Sequence, residues 1–291
     1  MKLNEKTVTV AVIVAVLISA YVVVNTRLGA YLIIDVIGSS GDSDLTIPSA
    51  ESGPLRVSRQ LEPLAEIAMP KKIEQPSGIQ HRGDRIYIST DQAELFILDD
   101  KFKIINDSAS LVGGPLLFKQ GSLEGIEVVD NSVLAIGEFG SIRKWSGSGE
   151  NWQRQEDIAL PANIQDFEFS GISITKDRQL ATSEETPELV DVKKGEIHKI
   201  NFGSFMKPGG DISSLSISGL AYENGKYYVL TENYTSILVL DANSLEVIEV
   251  LGIIPTQAAD LSVRNGRAYI VVDHNYVDEL PPVYVYQVDT I

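Results

Sequence analysis

The sequence contains no cysteine and only three histidines, and it is short of bases: 24 Lys and Arg stand against 40 Asp and Glu, a formal charge of −16. Without cysteine there is no disulfide framework, no thiolate metal centre, no iron–sulfur cluster, no thiol nucleophile and no lipoprotein anchor. A net charge of that sign repels phosphate backbones, which excludes nucleic acid as a partner. The nucleotide and hydrolase signatures are missing too. No Gly-x-x-x-x-Gly-Lys-Ser/Thr loop occurs, and no Gly-x-Gly-x-x-Gly follows a strand. Gly38-Ser39-Ser40-Gly41 has neither the spacing nor the strand context of a nucleophile elbow. What the chain does have is 291 residues, 44% of them hydrophobic, enough for a substantial core and too many for disorder. Its 23 glycines, 11 tyrosines and low share of charged residues lean towards β structure.

The N-terminus reads as a membrane signal. Lys2 and Lys6 precede Thr7–Val24, 18 residues without a charge. As a helix at about 1.5 Å per residue this run extends roughly 27 Å, close to the hydrocarbon thickness of a bilayer. Its Val and Ile content suits a strand in water, but in lipid only a helix satisfies its own backbone groups. Cleavage as a signal peptide near Ala20 is the rival reading. Retention is favoured by the length of the run and by apolar sequence resuming at Leu28–Ile37. The flanking charges put the N-terminus in the cytoplasm and the rest outside the inner membrane, periplasmic or extracellular. The expected organisation is a stub and anchor over 1–27, with the bilayer as partner through 7–24. A juxtamembrane segment and tether follow over 28–63, flexible across Gly38–Pro54, and then a single domain over 64–291.

That domain is a repeat. Five units begin at Ser77, Glu124, Ser170, Ser218 and Ala259, at spacings of 47, 46, 48 and 41 residues. Each has a small or acidic residue, an aliphatic, a polar turn, a strand ending in an acid, and another strand. The second residue is Gly78, Gly125, Gly171 and Gly219 in four units and Asp260 in the fifth. Hairpin turns recur at Arg82-Gly83-Asp84, Asp130-Asn131, Lys176-Asp177, Asn224-Gly225 and Asn265-Gly266. A period near 46 with about four short strands per unit is that of propeller blades, and no unit carries the helical stripe a solenoid of that length needs. The 228 residues from Leu64 to Ile291 make five units of about 46. The fold expected is therefore all-β, a five-bladed propeller of four-stranded antiparallel blades behind an N-terminal transmembrane helix. The short fifth unit borrows its last strand from near 64–69, which closes the ring.

The Gly-aliphatic starts (Ser77-Gly78-Ile79, Glu124-Gly125-Ile126, Ser170-Gly171-Ile172, Ser218-Gly219-Leu220) and the acid-terminated strands resemble the SdiA-regulated proteins, membrane-associated bacterial β-propellers. Asp166-Phe167-Glu168-Phe169-Ser170-Gly171 is similar to a stretch of that family in which an acid directly precedes the glycine; Ser170 takes its place here. The resemblance covers roughly 64–291. It implies a propeller and a bound cation, and no established reaction.

Aligned repeats place Asp91, Glu138, Glu184, Glu232 and Asp273 at one position. Because the first two strands of a blade are antiparallel, these acids share a face with the Gly-aliphatic starts. The innermost strands crowd the channel mouth there, bringing Glu124, Glu127, Asp260 and Glu168 near them. Such carboxylates and hydroxyls would suit a hard cation, calcium before magnesium, since calcium takes about 6–8 oxygens with tolerant geometry. Solvated strand-end acids are the plainer reading of the same residues. The metal candidates are Glu124 first, then Glu168, with Glu138, Glu184, Glu232 and Asp273. No catalytic residue and no nucleotide or redox cofactor is indicated. His81 falls in a turn and His198 near a unit's end, both at the surface, while His274 lies on the acid face. Trp145 and Trp152 read as packing between blades. The function these features favour is a membrane-anchored binding module for a small ligand or an envelope protein. The alternative is a calcium-dependent hydrolase of lactonase or phosphoesterase type, which needs three carboxylates converging on one ion.

Overall fold

A computed structural model describes residues 49–91, 94–108, 123–137, 141–148, 151–254, 258–272 and 282–289. The expected transmembrane span lies outside them. No helix among the described residues is long and apolar enough to cross a membrane, and the helices there are 3-10 turns of three residues.

The units fold as five separate sheets. Blade I runs Pro76–Arg82, Arg85–Thr90, Leu95–Asp99, Ile104–Ser108, and blade II Leu123–Val129, Ser132–Gly137, Ser141–Ser148, Asn151–Arg154. Blade III runs Phe169–Ile174, Gln179–Ser183, Glu188–Asp191, Glu196–Lys199, and blade IV Ile217–Glu223, Lys226–Thr231, Ser236–Asp241, Val247–Gly252. Blade V takes Ala258–Arg264, Arg267–Val272 and Val283–Gln287 from the C-terminal end and Ala65–Ile67 from the N-terminal end, the last pairing antiparallel with Val283–Gln287. Around the ring each innermost strand contacts the innermost strands of both neighbours.

Local sequence explains this regularity. The first hairpin of every blade turns where the sequence places it, with positive φ at Gly83, Asp130, Asn224, Gly225, Asn265 and Gly266. These are the residues that tolerate the left-handed region such turns demand. Most middle strands have both faces buried and read as largely apolar runs, Ser141–Ser148 of blade II with Arg143 and Lys144 being an exception. In Ser236–Asp241, Leu238 and Leu240 enter the cluster shared with blade III, and Ile237 and Val239 the cluster shared with blade V. Five such clusters fill the five gaps between neighbouring blades, so the core is distributed around the ring rather than gathered at one centre.

One expectation is corrected here. The expected tether extends through residue 63, whereas residues 49–63 are folded. Leu55 is buried and bridges Met206, and Leu61 is buried in the layer between blades IV and V. Arg59–Gln60 adds a fifth, parallel strand to the edge of blade IV. Arg59 reaches Glu249 at 3.3 Å and donates to the Val288 carbonyl at 2.9 Å. Two leucines six residues apart bury enough surface to hold the segment, and the strand covers an edge that would otherwise be open.

Candidate functional site

In every blade the register of the innermost pair slips at the same place. The slips fall between Pro76 and Gly78, Leu123 and Gly125, Phe169 and Gly171, Ile217 and Gly219, and Ala258 and Asp260. A β-bulge leaves one residue out of the ladder and re-aims it. The five residues so placed are Ser77, Glu124, Ser170, Ser218 and Ala259, and all five line one pocket of about 160 Å³. Asp91, Glu184 and Glu232 complete its polar wall, with Pro76 and Ala258. These three acids are set alike: the N–H of each donates to the carbonyl of Gln75, Glu168 and Ser216 respectively, at 3.2, 3.0 and 3.1 Å. The pocket is the channel mouth on the face where first strands begin and second strands end.

Three serines stand at the bulges and differ in what they do. The Ser77 hydroxyl donates to the Leu123 carbonyl of blade II, and the Ser170 hydroxyl to the Ile217 carbonyl of blade IV. Both therefore present only lone pairs to the pocket. Ser218 is 8% exposed, and its buried hydroxyl has no hydrogen-bond partner among the described residues. Such an orphan is costly unless something occupies the site with it. Ser77→Ala should lower stability by about 1 kcal/mol, the worth of a typical net hydrogen bond. Ser218→Ala should be neutral or stabilising in ligand-free urea melts. Equal losses for the two variants would contradict this division.

Beneath the mouth two buried carboxylates stitch the blades together. Glu127 of blade II accepts from the Gln80 amide of blade I at 2.6 Å, the Ile174 N–H of blade III at 3.1 Å and its neighbour Val128 N–H at 3.0 Å. Asp260 of blade V accepts from the Ile79 N–H of blade I at 2.9 Å, and from the Leu220 N–H of blade IV and the Leu261 N–H. Ser262 joins them, donating to Gln80 and accepting from the His81 N–H. Burial pushes Glu127 up and Asp260 well above the usual carboxylate range, outweighing the amide donors that favour their charged forms.

No family model matches the sequence, and no curated protein does. Among solved structures the chain is similar to glutaminyl cyclase from Myxococcus xanthus, with a TM-score of 0.54, 13% identity, and coverage of 81% of this chain and 100% of that one. It is also similar to the PQQ-bound aldose sugar dehydrogenase from Streptomyces coelicolor, with a TM-score of 0.51, 13% identity, and coverage of 79% and 98%. The likeness is one of fold alone. The resemblance to the SdiA-regulated proteins rests on the repeat motifs by themselves.

Of the six metal candidates, Glu124, Glu184 and Glu232 line the mouth, and Asp91 joins them. Glu168 does not line it; its backbone carbonyl instead anchors Glu184. Glu138, Asp273 and His274 lie outside the described residues. Among the described residues, no three of the mouth acids have ligand atoms within 4.8 Å of one another. Among the described residues the trio with ligand atoms within 4.8 Å of one another is a different one, Asp191, Glu196 and His198 on the outer hairpin of blade III. Lys194 lies in that trio, 3.5 Å from Asp191 and 3.8 Å from Glu196, so a side-chain cation already serves it. His81 is not a surface turn residue. It lies within the inner strand of blade I, one residue before its end, with its ring 4.2 Å from that of Tyr269. Burial and the Arg264 guanidinium hold it down at about 3, so it is neutral. Trp145 is buried between blades I and II, and Trp152 meets Tyr87 of blade I edge-on at 6.3 Å.

Proposed function

We propose that this chain is a membrane-anchored, extracytoplasmic propeller that binds a ligand at the acidic channel mouth, with a divalent cation, calcium first, as part of the site. The observation that carries the reading is the mouth itself. Five bulges, one per blade, turn their residues into a single concave site with four carboxylates and an unsatisfied buried hydroxyl. A rigid ring that brings one residue of every blade into the same pocket is built for recognition. The spacing of the described acids supports a binding module over a hydrolase, which would need three carboxylates already within coordination distance of one ion. The anchor and the location outside the inner membrane rest on Thr7–Val24 and its flanking lysines.

The test is a thermal melt of the full chain in neutral detergent, first in EDTA and then with millimolar calcium or magnesium. A ligand at a hundredfold excess over Kd stabilises the folded state by about 2.7 kcal/mol. For a domain of this size that is roughly 5–10 °C. Calcium should give such a rise, and Glu124→Gln should abolish it. Unchanged melts with both ions would remove the cation from the reading.

A further inference from the structure

The mouth is unusual in the direction of its hydrogen bonding. Four of its described lining residues are carboxylates, Asp91, Glu124, Glu184 and Glu232, and among the described residues no lysine, arginine or histidine lines it. Carboxylates only accept. The Ser77 and Ser170 hydroxyls have spent their protons on the Leu123 and Ile217 carbonyls and can only accept as well. Among the described lining residues, the hydroxyl with no partner is that of Ser218, buried at the wall. A wall of acceptors under a strongly negative field rejects phosphates and carboxylates and fits a ligand that only donates. The acceptors are also spread around the ring rather than gathered on one point. Pro76, Ala258 and Ala259 offer apolar surface between them.

We infer that the channel mouth recognises an alkyl-ammonium ligand, a short polyamine or another compound carrying spaced primary ammonium groups. Each ammonium has three donors and no acceptor, matching carboxylates and hydroxyl lone pairs set apart around the rim. The methylene chain lies on Pro76, Ala258 and Ala259, and a pocket of about 160 Å³ has room for a short one. Ser218 accepts from one ammonium, which ends its isolation. The inference rests on the reading of the mouth as the recognition site and not on the metal.

The experiment is isothermal titration of the full chain in neutral detergent with putrescine and spermidine, in EDTA and again with calcium, beside a titration with calcium alone. Both amines should bind in EDTA, while N-acetylputrescine binds at least tenfold more weakly and glutarate gives no heat. Glu124→Gln should weaken putrescine about 10- to 100-fold, the worth of a hydrogen bond to a charged group. Ser218→Ala, which removes no charge, should weaken it severalfold and covers the case in which Glu124→Gln fails to fold. Asp84→Asn, on an exposed hairpin at the opposite face, should leave binding unchanged. Calcium binding without amine binding would overturn the inference and leave the proposed function standing. Amine binding without calcium binding would do the reverse to the metal part of that function. Losses in Asp84→Asn as large as in Glu124→Gln would mean general attraction to an acidic protein, and the inference would fall.

Discussion

Gly125→Ala is expected to be the most damaging single-methyl addition in the molecule. A Cβ at Gly125 would stand 2.7 Å from the Gly171 Cα and from the Ile172 nitrogen, backbone atoms of the next blade that no rotamer change can move. The same crowding repeats at Gly171, where a Cβ would meet the Leu220 nitrogen at 2.7 Å. Relief requires the inner strands to separate, and separation at one gap must be shared by the closed ring. Overpacking typically costs about 1–3 kcal/mol, and backbone against backbone belongs at or above the upper end. We expect about 3 kcal/mol or more from urea unfolding of Gly125→Ala. Gly83→Ala should act through its positive φ alone and cost less, since nothing lies within 4 Å of its added Cβ. Equal and small losses would mean the ring can breathe open at this gap.

The second large effect belongs to Asp260. It stands where the other four units have glycine, and its carboxylate lies over Gly219, whose added Cβ would come within 2.6 Å of it. Asp260→Ala strands the Ile79, Leu220 and Leu261 N–H groups in a buried site, at a cost of about 3 kcal/mol or more. Asp260→Asn keeps an acceptor oxygen and should cost much less. The two variants also differ from the wild type in their response to pH. A carboxyl whose folded pKa is raised binds its proton more tightly folded than unfolded. Its favourable contribution is then present at and below the ordinary carboxylate range, about pH 4, and is lost as pH rises through the raised value. Glu127 acts in the same direction. Wild-type stability attributable to these groups should therefore fall from mildly acid to neutral pH, and Asp260→Asn should flatten part of that fall. A pH profile of the unfolding midpoint identical in Asp260→Asn and wild type would show that Asp260 does not titrate between those limits.

Much of this architecture can be read from local sequence. The 46-residue period, the hairpin turns at Asn224-Gly225 and Asn265-Gly266 and the acids at Asp91, Glu184 and Glu232 are local patterns, and each sits where the pattern puts it. The repeated glycine is legible as a position but not as a reason. Its cause is contact with the neighbouring blade, about 46 residues away, and nothing in the hairpin itself records that. Asp260 is hidden for the same cause: it breaks the glycine pattern, and the Ile79 N–H it satisfies lies 181 residues before it. The repeat puts Ser77, Ser170 and Ser218 at the mouth, where they lie, but the bulges that aim them leave no clear trace in composition. His81 reads as a turn residue because Gly83 follows it, yet the strand runs one residue past it. The folded segment over 49–63 was masked by its serines, prolines and charges. Its signal is the thin apolar thread of Leu55, Val57 and Leu61.

Blade V, assembled from Ala65–Ile67 and Val283–Gln287, ties completion of the disc to the order in which the chain is made. A growing chain can form blades I to IV one after another, but the last sheet waits for Val283–Gln287, made more than two hundred residues after Ala65–Ile67. Until then the outer strand of that sheet, synthesised more than two hundred residues earlier, has nothing to pair with, and the facing flanks of blades I and IV stay bare. The entropy of so long a closure is modest, since each doubling of length adds only about 0.6 kcal/mol. Delay is the greater burden. A nascent disc held open for that time exposes apolar flanks to other chains, which makes synthesis, rather than the finished ring, the stage at which aggregation threatens this fold most.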